Sequence, residues 1–137
     1  MSRVLFDKVR NGLDTFLKAN CCFDVWVLNQ PSGNHFPNIV LTEIDNSMRG
    51  RTGQNLETIS SIVYELNIYA QEERIDNTTI DNLSVAYEIA DSVQMYFEKV
   101  LFLERAMKRP TPNIDERIYR ITMRYEGILN DNRQSFY

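Results

Sequence analysis

From Thr58 to Gln71 the chain reads Thr-Ile-Ser-Ser-Ile-Val-Tyr-Glu-Leu-Asn-Ile-Tyr-Ala-Gln, and no other stretch limits the possible folds as strongly. Ile62, Tyr64, Leu66, Ile68 and Ala70 keep one apolar parity while Glu65, Asn67 and Gln71 hold the other, the period-two pattern of a strand buried on one face. A helix also accommodates Ile59, Ile62, Val63, Leu66, Tyr69 and Ala70 in one stripe. It would leave Tyr64 on the polar side and fill its turns with β-branched and aromatic residues, so a strand is expected. At ~3.3 Å per residue this strand would run roughly 45 Å, so it must bend or extend past the body of its domain.

The flanking segments read as cover for that strand. Over residues 3–19, Leu5, Phe6, Val9, Leu13, Phe16 and Leu17 share one arc of about 120°, which predicts an amphipathic helix that Ser2 caps and Asn20 ends. Residues 21–28 and 38–44 are short runs rich in Val, Ile, Phe and Trp. The turn residues between them, 29–34, and Pro37 predict a hairpin with a long loop. Trp26 is expected as a core or edge anchor.

Residues 45–55 have two glycines, no apolar period and the cations Arg49 and Arg51, and are expected to form a long loop available for contacts. Thr78-Thr-Ile-Asp81 has the form of a capping box opening a helix that runs to about Val100. The apolar residues of that helix, from Ile80 through Val85, Ile89 and Tyr96 to Val100, spread over roughly 200°, where packing on one surface needs only about 100°. It should therefore touch the sheet and a second body, either the first helix or another subunit.

Residues 101–109 and 114–127 are predicted as the closing strands, separated by Pro110-Thr-Pro-Asn113, which no helix could cross. Tyr119, Ile121, Met123 and Tyr125 alternate with Arg120, Thr122, Arg124 and Glu126, giving one apolar face and one that meets solvent or a partner. The arginines are most simply cross-strand partners of acids. The expected architecture is α+β: a mostly antiparallel β-sheet with two main helices, near 3–19 and 79–100, packed on it. Residues 1–129 form a single domain and 130–137 a loose tail.

A formal charge of −4 gives no reason to expect a bulk electrostatic grip on nucleic acid, although DNA could pass close by. The longest apolar run, Val25 to Leu28, is too short to span a bilayer, and Asp7 interrupts any signal-peptide core, so a cytoplasmic chain is expected. The only cysteines, Cys21 and Cys22, are adjacent, which fits a reducing compartment, and with the single histidine His35 in a Pro-flanked loop no zinc set is expected. The sequence shows no nucleophile elbow, HExxH, CxxC or dinucleotide turn. Neither a catalytic constellation nor a cofactor is expected.

Ile62-Val-Tyr-Glu-Leu-Asn-Ile-Tyr-Ala70, then Ala86-Tyr-Glu-Ile-Ala90, then Ile118-Tyr-Arg-Ile-Thr-Met-Arg-Tyr-Glu-Gly127 resemble, in order and spacing, the tail-terminator and head-tail joining (minor capsid) proteins of long-tailed bacteriophages. That resemblance covers residues 3–128 and rests on strand and helix patterns. It implies a sheet with two packed helices and a six-membered ring in the virion neck. The ring would cap the tail tube, meet the tube protein and the head connector, and let DNA pass without reading its sequence. The alternatives are a head-completion or neck protein and a non-phage cytoplasmic binding module. The candidate interface residues are Arg49, Arg51, Val85, Ile89, Tyr96, Arg120 and Arg124.

Overall fold

A computed structural model describes residues 2–29, 35–52, 57–112, 115, 117–130 and 135–136; at residues 2–4, 46–52, 57–59, 129, 130, 135 and 136 the description is of the backbone. The order is α1 (Ser2–Asn20), β1 (Trp26–Leu28), β2 (Asn38–Thr52), β3 (Glu57–Ala70), β4 (Glu73–Ile75), β5 (Thr78–Ile80), α2 (Asn82–Met95) with a π-helical turn (Tyr96–Val100), β6 (Glu104–Pro110), β7 (Tyr119–Asn130) and β8 (Ser135–Phe136). The main sheet runs β1-β2-β3-β7-β6, with β8 on β7, and β4 and β5 form a separate hairpin. The fold is α+β and dominated by the sheet, as expected. The sheet is mixed, because β1 lies parallel to β2.

The central stretch is a strand, and its parity is the one the sequence requires. Ile62, Tyr64, Leu66, Ile68 and Ala70 are fully buried beneath the helices. Rows of apolar partners cross the sheet on that face: Ile39, Ile68 and Ile121, then Leu41, Leu66 and Met123. The next row brings Tyr64 beside Tyr125. Phe97 closes this aromatic centre, stacked on Tyr125 at 5.0 Å and edge-on to Tyr64 at 6.3 Å.

α1 buries the predicted stripe of Leu5, Phe6, Val9, Leu13 and Leu17, with Phe16 packed at its margin. Asn20 is the last residue of that helix, and its Nδ2 donates to Phe16 O at 2.9 Å. Gly12 sits where any Cβ would collide with the Tyr96 hydroxyl, which donates to Val9 O at 3.4 Å. Gly127 similarly gives its space to the Leu103 side chain.

Four expectations need correction. The predicted hairpin of residues 21–28 and 38–44 is a parallel pair, with Trp26 opposite Asn38 and Leu28 opposite Val40. Local contacts draw the start of β2 back beside the start of β1: His35 Nε2 lies 3.0 Å from Asp24 O, Asn38 Nδ2 donates to His35 O, and the Trp26 and His35 rings stack at 4.0 Å. Both strands therefore leave from the same end of the sheet. Trp26 serves as an edge anchor and is 47% exposed.

Most of the predicted 45–55 loop is strand, since β2 pairs with β3 as far as Thr52 opposite Glu57; residues 53–55 lie outside the described residues. Backbone ladders need no apolar period, and shifts between Glu43 and Asp45 and between Met48 and Gly50 absorb the irregular sequence as bulges. The ribbon thus continues beyond Ser60, which is still buried at that end of β3.

The predicted capping box at Thr78 instead forms β5. Asp76 and Asn77, with φ of 50° and 64°, make the two-residue turn between β4 and β5. Helix α2 opens at Asn82 behind the cap Asp81, whose Oδ1 accepts from Ser84 N at 2.8 Å. Beyond residue 129, β8 pairs Ser135 with Asn130 and Phe136 with Leu129; residues 131–134 and 137 lie outside the described residues.

The fourth correction concerns α2 as a docking surface. Val85 and Ile89 are fully buried and Tyr96 is 6% exposed, all within the core of one chain. The second body that the wide apolar arc required is α1, whose Phe16 meets Tyr96 at 5.5 Å. These three residues are therefore not available to another subunit.

Two predictions follow from this packing. Gly12→Ala should destabilise the fold by about 1–3 kcal/mol, because the clash with Tyr96 outweighs the roughly 1 kcal/mol of helix propensity that alanine brings. In a Tyr96→Phe background the same change should be neutral or stabilising, and urea unfolding of the four proteins measures the coupling. An equal loss in both backgrounds would remove the assigned cause.

The second concerns alkaline pH. Burial pushes the Tyr64 phenol well above its ordinary value of 10.0, and the nearby Glu43 carboxylate adds to this. Burial, together with the hydrogen bond to Glu98, does the same to Tyr125. Both folded values lie above the unfolded one, so this stabilisation is complete below pH about 10 and is lost as pH rises further. Denaturant midpoints taken from pH 8 to 11 should fall above pH about 10, and fall less steeply in Tyr64→Phe and Tyr125→Phe.

Candidate functional site: the uncovered sheet face and its edges

The helices cover one face of the sheet, and the alternate parity of β3 and β7 builds the other. There Tyr69 lies opposite Arg120, Asn67 opposite Thr122 and Glu65 opposite Arg124. Asn67 is the hub. Its Oδ1 accepts from Arg120 Nε at 3.0 Å, from Arg120 Nη2 at 2.8 Å and from Thr122 Oγ1 at 2.8 Å. Its Nδ2 donates to Glu65 Oε1 at 3.1 Å, and Arg124 Nε donates to Glu65 Oε2 at 2.8 Å. Since the Thr122 hydroxyl donates to Asn67, the Thr111 hydroxyl 2.5 Å away is the donor to Thr122. The Arg120 guanidinium also lies over the Tyr69 ring, 5.4 Å from its centre.

Of the candidate interface residues, the structure brings together Arg120 and Arg124, one on a neutral amide and the other on an acid as cross-strand pairing suggested. It keeps Val85, Ile89 and Tyr96 on the opposite, covered side. Arg49 is the extra residue of the second bulge and Arg51 pairs with Thr58 along the backbone, while their side chains lie outside the described residues.

Sequence reasoning missed Asn67 as a hub, although its polar parity between Leu66 and Ile68 was visible. It looked for an open end or edge on the central strand, which is paired on both sides; the open edges lie on β2 and β6. β1 covers β2 only from Asn38 to Val40, and among the described residues no strand pairs with the far side of β6. Exposed apolar groups gather near these edges: Ile44 at the first bulge of β2, and Val100 and Phe102 ahead of β6. Phe102 is 75% exposed with φ of 57°, a conformation that is costly for an aromatic residue.

Other chemistry-bearing groups are sparse. Burial pushes the Cys21 and Cys22 thiols up, with the Glu88 carboxylate adding to it, which disfavours a reactive thiolate in either. A polar hollow of about 400 Å³ is lined by Gln71, Glu72, Asp81, Asn82 and Arg117. Its arginine is clamped by Asp115 through contacts of 3.1 and 2.9 Å. Among the described residues no three His, Cys, Asp or Glu side chains gather as a metal site, and no helix is long and apolar enough to cross a membrane. No protein-family model matches the chain, and no curated protein matches it either.

The geometry predicts unequal energetics along the outer face. Asn67 is 7% exposed, so Asn67→Ala leaves Arg120 and Thr122 without their shared acceptor and should cost about 1–3 kcal/mol in chemical unfolding. Arg124 is 46% exposed at its side chain, so Arg124→Ala should cost less than about 1 kcal/mol. Equal losses would remove Asn67 from its place at the centre of the network.

Proposed function

We propose that the protein is a structural component of a phage virion, a tail terminator. Its copies form a ring, six by the family resemblance, that caps the completed tail tube and meets the head connector in the neck of the particle. The observation that carries this reading is the long β2-β3-β7 ribbon, whose β2 edge has no strand partner beyond Val40 among the described residues. A strand edge of that kind suits a subunit that completes itself against neighbours. The α+β architecture with two helices on one sheet face agrees with what the resemblance implies. The net charge of −4 suits a channel through which DNA passes without being held.

Mass by light scattering across a concentration series, with electron microscopy of the protein mixed with tail tubes, tests the reading. Six-fold rings, or tubes capped at one end and uniform in length, are the expected outcome. A chain that stays monomeric at every concentration and never binds a tube end would overturn it. Binding to connectors but not to tubes would move the role to head completion.

A further inference from the structure

We propose that the uncovered sheet face carries an anion site, in which Arg109, Arg120 and Arg124 together hold one compact phosphate group, free or as the monoester of a small molecule. The site is independent of the ring reading and stands or falls without it.

Strand register gathers the three arginines. On β7, Arg120 and Arg124 flank Thr122, whose hydroxyl bonds Asn67 on the uncovered face. Arg109 of β6 lies opposite Thr122, and so diagonal to both arginines. Its neighbour Lys108 reaches Asp91 and Gln94 of α2 on the helix side, which turns Arg109 to the uncovered side. Diagonal positions on adjacent strands lie about 7–8 Å apart, a gap that long side chains close.

Like charges gathered this closely on a sheet repel unless acids or a bound anion meet them. In the three cross-strand rows that hold these arginines, Glu65 is the only carboxylate, and it is committed to Arg124 at 2.8 Å. Arg120 rests on the neutral amide of Asn67. Arg109 is exposed and makes no hydrogen bond or ion pair among the described residues. The cluster therefore keeps a net of +2 on a chain whose formal charge is −4.

Two of the three guanidinium groups are already fixed in place. Asn67 takes Nε and Nη2 of Arg120, the Tyr69 ring lies 5.4 Å from that guanidinium, and Glu65 takes Nε of Arg124. Arg120 Nη1 has no partner among the described residues, so an anion gains a charge-assisted contact there with little further ordering of the side chain. The Thr111 and Thr122 hydroxyls donate inward toward Asn67, which leaves the guanidinium groups as the donors. The next row sets Glu126 opposite Glu104, and these acids repel any chain of phosphates that runs on past the cluster. A single compact phosphate suits the patch, and a nucleic-acid strand does not.

Titrating inorganic phosphate into nitrogen-labelled protein, with chloride adjusted to hold ionic strength constant, reads the site through its arginine Nε–H signals. Those of Arg109, Arg120 and Arg124 should shift and saturate at millimolar phosphate, while that of Arg117, clamped by Asp115, stays in place. Arg109→Gln removes a side chain that supports nothing in the fold, as circular dichroism checks, and should weaken phosphate binding about fivefold. E104Q/E126Q should tighten it. Phenyl phosphate titrated alongside distinguishes the sources: equal affinity assigns the free ion, and tighter binding assigns a monoester. Shifts that never saturate, shifts that chloride reproduces, or unchanged affinity in Arg109→Gln would overturn the site. A thymidine oligonucleotide that displaces phosphate at a lower concentration of phosphate groups would make the face a nucleic-acid surface and overturn the small-anion assignment. None of these results bears on ring formation, which mass and microscopy read separately.

Discussion

Ladder hydrogen bonds run along both sides of β3, to β2 over Asn38–Thr52 and to β7 over Tyr119–Asn130, and the rest of the structure depends on their register. A slip of one residue would turn Ile62, Tyr64, Leu66, Ile68 and Ala70 to the open face and put Glu65, Asn67 and Tyr69 under the helices. Each large apolar side chain so exposed forfeits about 1.5–3 kcal/mol, and the buried carboxylate and amide would add desolvation costs. The two faces hold this register jointly. On one, Phe97 packs on the Tyr64 and Tyr125 pair, while on the other Asn67 is bonded to Arg120 and Thr122 on the neighbouring strand.

The covered face explains the shape of α2. Val85, Ile89 and Val93 turn toward the core, and Tyr96 and Phe97, three and four residues beyond Val93, follow on the same side. They lie in the π-helical turn, marked by Leu101 N donating to Tyr96 O at 3.1 Å, and meet different neighbours, Tyr96 packing toward α1 and Phe97 on β7. The chain then reverses at Phe102 and drops Leu103 into the space above Gly127. The strained, exposed Phe102 is thus continuous with the packing that brings β6 into the sheet.

How much of this was legible in the sequence depended on whether side-chain periodicity or backbone pairing determined each element. β3 and α1 declare themselves because burial selects every second residue in one and a single stripe in the other. The second half of β2 does not, since Asp45 to Thr52 are held by the β3 backbone and by bulges that erase any period. Residues 78–80 satisfied a helix-start pattern, yet Asp76 and Asn77 accept positive φ and favour a hairpin first. The parallel course of β1 depends on contacts of Asp24, His35 and Asn38 that no local pattern encodes. Within the candidate site, the alternation of β7 located Arg120 and Arg124. The apolar width of α2 required a second body without identifying it, and α1 fills that place.

The uncovered face and the open edges offer different materials to a partner. On the face, Glu65, Asn67, Arg120 and Thr122 are already bonded to one another, so a protein docking there would have to match a preformed polar surface and would gain little from fresh hydrogen bonds. Along β2 beyond Val40 no second strand is paired among the described residues, and an added strand would extend the ladder there. Bulges at Ile44 and Arg49 twist that edge and break its regularity, which limits indiscriminate pairing. A strand able to follow that irregular line is a narrower class of partner than a long regular edge would admit.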